Sequence, residues 1–449
     1  MPTKVQAATP DFYRDREKMG IWPGRGNVVA VGIGVSPTAR RWDWNPETSM
    51  GAMSLMALRR AMDDAGVKPE EVDGLVMAQE TTTGFFPWPP AFPPGRDIIG
   101  EMSRRFKPTD DAKDGIAQLS AEWILQNMSE LKNVKFTIYA PTCMANCVVV
   151  AAESVARGLT HTCLVLKGWH NFEGRYYVGQ GVAAQDRVSG RQKWTLPWGT
   201  VAVYQTAMQF QRYLDKYHKT HDMNANFVIN SRKNGLLMPE GYFAQHRPEL
   251  ITREDYLNAR WIAKPANLFD NDMPICAGGA FLFTTKERAR NMKQKPVYIL
   301  NHASDRTPAR SFMYSLEEVE SIAASNGRKM YEGAGITARD LSFENLYDGF
   351  SEFHLFHLEG LGWAGIKRGE GLDFYESEDI SINGPHPVSP SGGNIGSGRS
   401  RFWNHIDCIQ QIQGRAGKRA LTRVKPEVAV AGGYFPYGGN FTVYGVSAD

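Results

Sequence analysis

"SLMALRRAMDDAGVKPEEVDGLVMAQ", residues 54–79, reads as an amphipathic helix, a turn at Ala65-Gly66 and a buried strand. It follows "NVVAVGIGVSP" (27–37), itself a buried strand. The same arrangement returns in "IAASNGRKMYEGAGITARDLSFENLYDGF" (322–350), where Ala334-Gly335-Ile336 matches Ala65-Gly66-Val67 at an offset of 269 residues. In both copies a Gly sits just past the helix, where a left-handed cap is wanted. An acidic and an aliphatic residue then lead into a strand, Glu71-Val72 and Asp340-Leu341.

A second pair strengthens the duplication. "CMANCVVVAAESVARGLTHTCLVLKG" (143–168) is a helix, a Gly turn and a buried strand, and "HIDCIQQIQGRAGKRALTRVKPEVAVAGG" (405–433) follows the same plan with a longer connection. One such echo is weak, because helix–Gly–strand units are common. Two in the same order predict two similar α/β halves packed into one unit. We place the first at 27–290, with a loop and helical insertion at about 171–265, and the second at 296–449. The Pro- and aromatic-dense segment Thr81–Met102 is expected to be a rigid excursion on the surface or on a neighbouring subunit, or else a wall of a substrate tunnel.

The chain has 449 residues, 42% hydrophobic and 22% charged, as an ordinary globular protein does. A formal net charge of +3, without a Lys/Arg block, argues against nucleic acid. No apolar run is long enough to span a bilayer, and the charged start "MPTKVQAATPDFYRDREKMG" lacks a secretory apolar centre, so the expected location is cytoplasmic. The five cysteines show neither a disulfide framework nor zinc spacing, so no metal is expected in this chain.

Four stretches could carry chemistry. In "YAPTCMANCVVVAAESVARG" (139–158), Cys143 stands at a helix N-terminus, where free N–H groups favour a thiolate, while Cys147 lies one turn further in and points into packing. Cysteine is also a common small core residue, which leaves both roles open for Cys143. In "NLYDGFSEFHLFHLEGLGW" (345–363), Tyr347 and Asp348 fall at the mouth of a strand, the usual place for site residues in α/β folds. His354 and His357 share a helical side but lack a carboxylate at metal spacing, and read as packed or surface histidines. "INGPHPVSPSGGNIGSGRSRFWNHIDCIQQIQG" (382–414) holds a Gly-rich loop that includes Gly393 and Gly398, with Arg399 and Arg401 as anion-binding candidates. His386 and His405 flank that loop. "VAVAGGYFPYGGNFTVYGV" (428–446) reads as a hairpin without chemistry.

Together these pieces resemble the thiolase superfamily over nearly the whole chain, in particular the sterol-carrier-protein-type thiolases and the related steroid side-chain aldolases. "LYDGFSEFHLFHLEGLGW" looks like the family's HDCF or YDCF segment, and "SPSGGNIGSGRSRFWNHIDCIQQIQGRAGKR" is similar to its NPSGG…GHPxGATG…QLRGxAG run. The resemblance implies a five-layered αβαβα fold of two duplicated halves, a homodimer, acyl-CoA chemistry with coenzyme A as co-substrate and no bound cofactor. It also implies a small zinc-ribbon/OB-fold partner protein.

Departures from the family pattern are specific. Ungapped counting puts the nucleophile position at Pro141, two residues before Cys143; the GHP histidine aligns with Arg399; Tyr347 stands at the Asn/His position, as in the steroid aldolases. The C-terminal turn has no Cys and offers Tyr434 and Tyr437 instead. The preferred expectation is thiolytic cleavage of a bulky 3-oxoacyl-CoA, an aryl one of the benzoylsuccinyl-CoA kind, by Cys143 helped by Arg399 or His405. Asp348, Gly393, Gly398, Arg401, His386 and Tyr437 are its expected substrate contacts. The alternatives are a non-covalent retro-aldol lyase with Tyr347 as acid/base, and a non-catalytic binding subunit.

Overall fold

The computed structural model describes residues 14, 16–78, 82–83, 92–140, 144–171, 202–304, 314–433 and 440–448. Cys143, Tyr434, Tyr437 and residues 81 and 84–91 of the Pro-rich segment lie outside the described residues.

Nine strands carry the main sheet: β1 (Val28–Val35), β2 (Gly74–Ala78), β3 (Phe136–Ala140), β4 (Thr162–Asn171), β5 (Ala277–Thr285), β6 (Val297–Ser304), β7 (Phe343–Leu346), β8 (Val428–Gly432) and β9 (Asn440–Gly445). A two-residue strand, Thr82–Thr83, adds to the end of β4. The order across the sheet is β7-β8-β9-β6-β1-β5-β4-β2-β3. Reading outward from the β1–β6 seam, the first half runs β1-β5-β4-β2-β3 and the second β6-β9-β8-β7. The directions agree too: two antiparallel pairings are followed in each half by a parallel one, β4–β2 and β8–β7. The chain is therefore duplicated, as the repeated helix–Gly–strand pattern predicts.

The helices that matter here are α1 (Met50–Ala65), α2 (Met144–Ala156), α3 (Ala202–Tyr217), α4 (Ala225–Leu236), α5 (Leu316–Ala334), α6 (Ser351–Leu361), α7 (Gly393–Ser397) and α8 (Trp403–Gln413). Local sequence sets the ends of the two equivalent helices α1 and α5. Ser49 and Ser315 cap their N-termini, and Gly66 (φ 70°) and Gly335 (φ 63°) close them in the left-handed conformation.

Side chains alternate across each strand, so every strand feeds two cores. Val29, Val31, Leu75 and Leu164 pack outward against α1. Leu300, Val430 and Val443 pack outward against α5 and α6. Val28, Ala30, Val165, Ile299 and Ala429 turn inward onto α2 and α8, which lie between the two half-sheets. The layers are α1, half-sheet, α2 with α8, half-sheet, α5 with α6: the five-layered αβαβα arrangement. Among the described residues, no helix is long and apolar enough to cross a membrane.

Candidate active site

The buried helices α2 and α8 meet the C-terminal ends of β7 and β8 at a small cavity, with room for about one water. It is lined by Ala145, Tyr347, Arg401, Asn404, His405, Gly432 and Gly433. Tyr347 continues β7, its backbone N–H donating to Gly432 O at 2.9 Å. Asn404 of α8 ties down the same strand end, its side-chain amide donating to Asn345 O (2.9 Å) and Leu346 O (2.7 Å). A Cβ added at Gly349 would lie 1.9 Å from the Tyr347 hydroxyl, so the Gly of "YDGF" leaves the space that hydroxyl occupies.

The Gly-rich loop is held from two sides. Asp348, fully buried, accepts from Asn394 N (2.7 Å), Ile395 N (3.1 Å) and Asn394 Nδ2 (3.1 Å). Burial raises its carboxyl to about 6 against those hydrogen bonds. On the far side α7 packs backbone to backbone on α4: a Cβ on Gly396 would sit 1.9 Å from Ser231 O. The glycines of this loop thus serve close packing of two helices and the short turn that Asp348 pins.

Arg399 and Arg401 leave the loop on the same side. Their guanidinium carbons lie 4.7 and 4.9 Å from the Trp169 ring centroid, and Lys167 Nζ lies 4.3 Å from it. Arg399 also approaches Asp272, at 3.8 Å. Three cations are thus grouped on one buried indole, and of the three Arg401 lines the cavity. His405 is neutral: burial lowers its pKa to about 3. It therefore supplies no positive charge to the cavity.

The sequence-predicted residues divide clearly. Tyr347, Arg401 and His405 share the cavity. Asp348 and Gly393 act on the loop behind it; Gly398 ends α7, its carbonyl accepting from Trp403 Nε1 at 2.7 Å. His386 packs on the rings of Trp363 (5.8 Å) and Phe374 (5.9 Å), which do not line the cavity. Cys143 and Tyr437 lie outside the described residues, although Cys143 directly precedes α2, whose Ala145 does line the cavity. Cys147 is fully buried in the central core, as expected. His354 is likewise buried and bonded to Glu344 (3.0 Å) and Tyr375 (2.7 Å), and no described cluster of His, Cys, Asp or Glu could hold a metal.

Sequence reasoning missed Asn404, Lys167 and Trp169, and read Gly432-Gly433 as part of an inert hairpin. The only signal was a polar residue in an otherwise buried helix or strand: Asn404 beside Trp403, and Lys167 inside "CLVLKGW".

Comparisons with known proteins agree with this arrangement. Residues 307–441 match the model of the thiolase C-terminal domain-like family. The chain is 26% identical to a steroid side-chain-cleaving aldolase of Thermomonospora curvata, over 88% of this chain and 92% of that protein. It is 27% identical to 17-hydroxy-3-oxo-4-pregnene-20-carboxyl-CoA lyase of Mycobacterium tuberculosis, over 87% and 92%. Over nearly its whole length the chain is similar to proteins of the thiolase superfamily. Its fold also superposes on the solved Ltp2-ChsH2(DUF35) aldolase with a TM-score of 0.72 at 22% identity, covering 94% of this chain and 98% of the other. These relatives lie in the aldolase-like, sterol-carrier-type branch, as the tyrosine at position 347 implied.

Proposed function

We propose that this chain cleaves a carbon–carbon bond in a bulky 3-hydroxyacyl-CoA by a retro-aldol reaction, with Tyr347 as acid/base. The observation that carries this reading is Tyr347 at the end of β7, facing a cavity it shares with Arg401 and a neutral histidine. The two named relatives, an aldolase and a lyase, point the same way. In this reaction the tyrosine, as phenolate, takes the proton of the 3-hydroxyl. The C2–C3 bond breaks, a carbonyl compound leaves, and the electron pair passes into the thioester as an enolate. A proton returned to C2 gives the shortened acyl-CoA. Arg401 attracts the negative charge that forms.

This reading displaces thiolytic acyl transfer as the preferred one, because the named relatives are lyases. The thiolytic route keeps one supporting observation, the place of Cys143 immediately before α2. The aldolase whose fold this chain shares is named as a complex with a DUF35 protein. We extend that to a small zinc-ribbon/OB-fold partner here, assembled on a homodimer of this chain.

The test is product analysis with a bulky 3-hydroxyacyl-CoA, and separately with a 3-oxoacyl-CoA plus CoA, in the presence and absence of a DUF35 partner. Cleavage of the hydroxy substrate that Tyr347→Phe lowers at least about 10²-fold and Cys143→Ser spares is the expected result. An acyl adduct on Cys143, or turnover of the oxo substrate alone, would refute the retro-aldol reading.

A further inference from the structure

The buried pair His405–Tyr444 has a hydrogen-bond inventory that leaves one group over. Tyr444, on β9, is fully buried, and its hydroxyl lies 2.9 Å from His405 Nδ1. His405 is 1% exposed, and its Nε2 has no hydrogen-bond partner among the described residues. The ring lines the cavity with Tyr347, Arg401 and Asn404.

A neutral imidazole carries one N–H and one lone pair. If Nδ1–H donated to Tyr444, the phenolic O–H would lack an acceptor and the Nε2 lone pair would lack a donor. If Tyr444 donates to Nδ1, only Nε2–H is left over. The first arrangement leaves two buried polar groups unmet and the second only one, so the second is favoured. The doubly protonated ring does not compete, since burial keeps it neutral.

We infer that His405 is a hydrogen-bond donor, through Nε2–H, to the thioester oxygen of the bound acyl-CoA, with Tyr444 as the positioning residue that holds the tautomer. The inference deepens the retro-aldol reading, which supplies the enolate. As the C2–C3 bond breaks, the thioester oxygen gains negative charge. The bond from a fixed, buried N–H therefore strengthens on the way to the transition state, which is the condition for lowering the barrier.

The experiment uses the full chain with 15N-labelled histidine, and reads the ring nitrogens by NMR with and without acetyl-CoA; His405→Gln identifies the signals. Nε2 should appear as N–H and Nδ1 as a lone-pair nitrogen. Acetyl-CoA should shift Nε2, and CoA, which has no carbonyl on sulfur, should not. Tyr444→Phe should mix the two tautomers. A proton on Nδ1 in the wild type, or an Nε2 signal unmoved by saturating acetyl-CoA, would overturn the inference.

In turnover, His405→Phe should lose about 10²-fold in kcat with little change in KM. His405→Gln, which keeps a donor, should retain more, and equal losses in the two variants would also overturn the donor role. The NMR measurements decide the inference even if the chain proves to cleave its substrate by another route.

Discussion

Gly349→Ala isolates the space kept for the Tyr347 hydroxyl. The new Cβ would lie 1.9 Å from Oη and 2.3 Å from Cζ, against about 3.4 Å for an ordinary contact. The hydroxyl would have to move by about 1.5 Å, and a misplacement of about 1 Å at a reacting group costs about 10²-fold in rate. Gly349 is not among the positive-φ glycines, so alanine brings no backbone strain there. Its entropic gain of about 0.4–1 kcal/mol offsets part of an overpacking cost of about 1–3 kcal/mol. The variant should therefore stay folded, about 1–2 kcal/mol less stable by urea unfolding, while kcat for acyl-CoA release falls at least about 10²-fold. In a Tyr347→Phe background the ring still meets the Cβ, so the stability loss should persist. No hydroxyl remains to be displaced, so kcat should fall no further. A folded Gly349→Ala enzyme with wild-type kcat, or a double variant that loses another 10²-fold, would refute the role given to Tyr347.

Gly396→Ala should be far more damaging to the fold, because its Cβ meets a backbone carbonyl 1.9 Å away and α4 cannot yield; we expect a loss above about 3 kcal/mol in urea unfolding. Glu352, fully buried, has its carboxyl raised to about 8 by burial and then by Asp270. A raised acid contributes stability that is present below its unfolded pKa and lost as pH rises through the folded one. Unfolding free energies from pH 5 to 9 should thus fall in the wild type relative to Glu352→Gln by up to about 4 kcal/mol, and parallel curves would contradict this. His357, buried against Phe441, is lowered to about 3 by burial. Its contribution is present above the unfolded histidine pKa and disappears as pH falls toward 3. His357→Phe should accordingly flatten the acid limb of the stability curve between about pH 6.5 and 3.

The duplicated fold was legible because its signals are local. A capped helix, a left-handed Gly at 66 or 335 and an apolar strand lie within 30 residues of one another, and such patterns depend on backbone geometry and alternation alone. Tyr347 was legible for a similar reason, since a strand end is readable and strand ends carry sites in α/β folds.

The rest of the cavity comes from segments far apart in sequence. Ala145, Arg401, Asn404 and Gly432 share it because α2 and α8 cross between the half-sheets. No local pattern separates His405, whose ring faces that space, from His386, which packs on Trp363 and Phe374. The packing role of the Gly-rich loop was hidden for the same reason: Gly392 and Gly396 face the backbone of α4 and Gly393 faces the Asp348 carboxylate.

By itself, then, the sequence determined the repeat and the tyrosine at a strand end, and its resemblance to the thiolases implied the five layers. The tertiary structure alone decided which polar groups share one cavity and which hold a loop. It also decided that His405 is neutral, since protonation follows burial and neighbours that only the folded chain brings together.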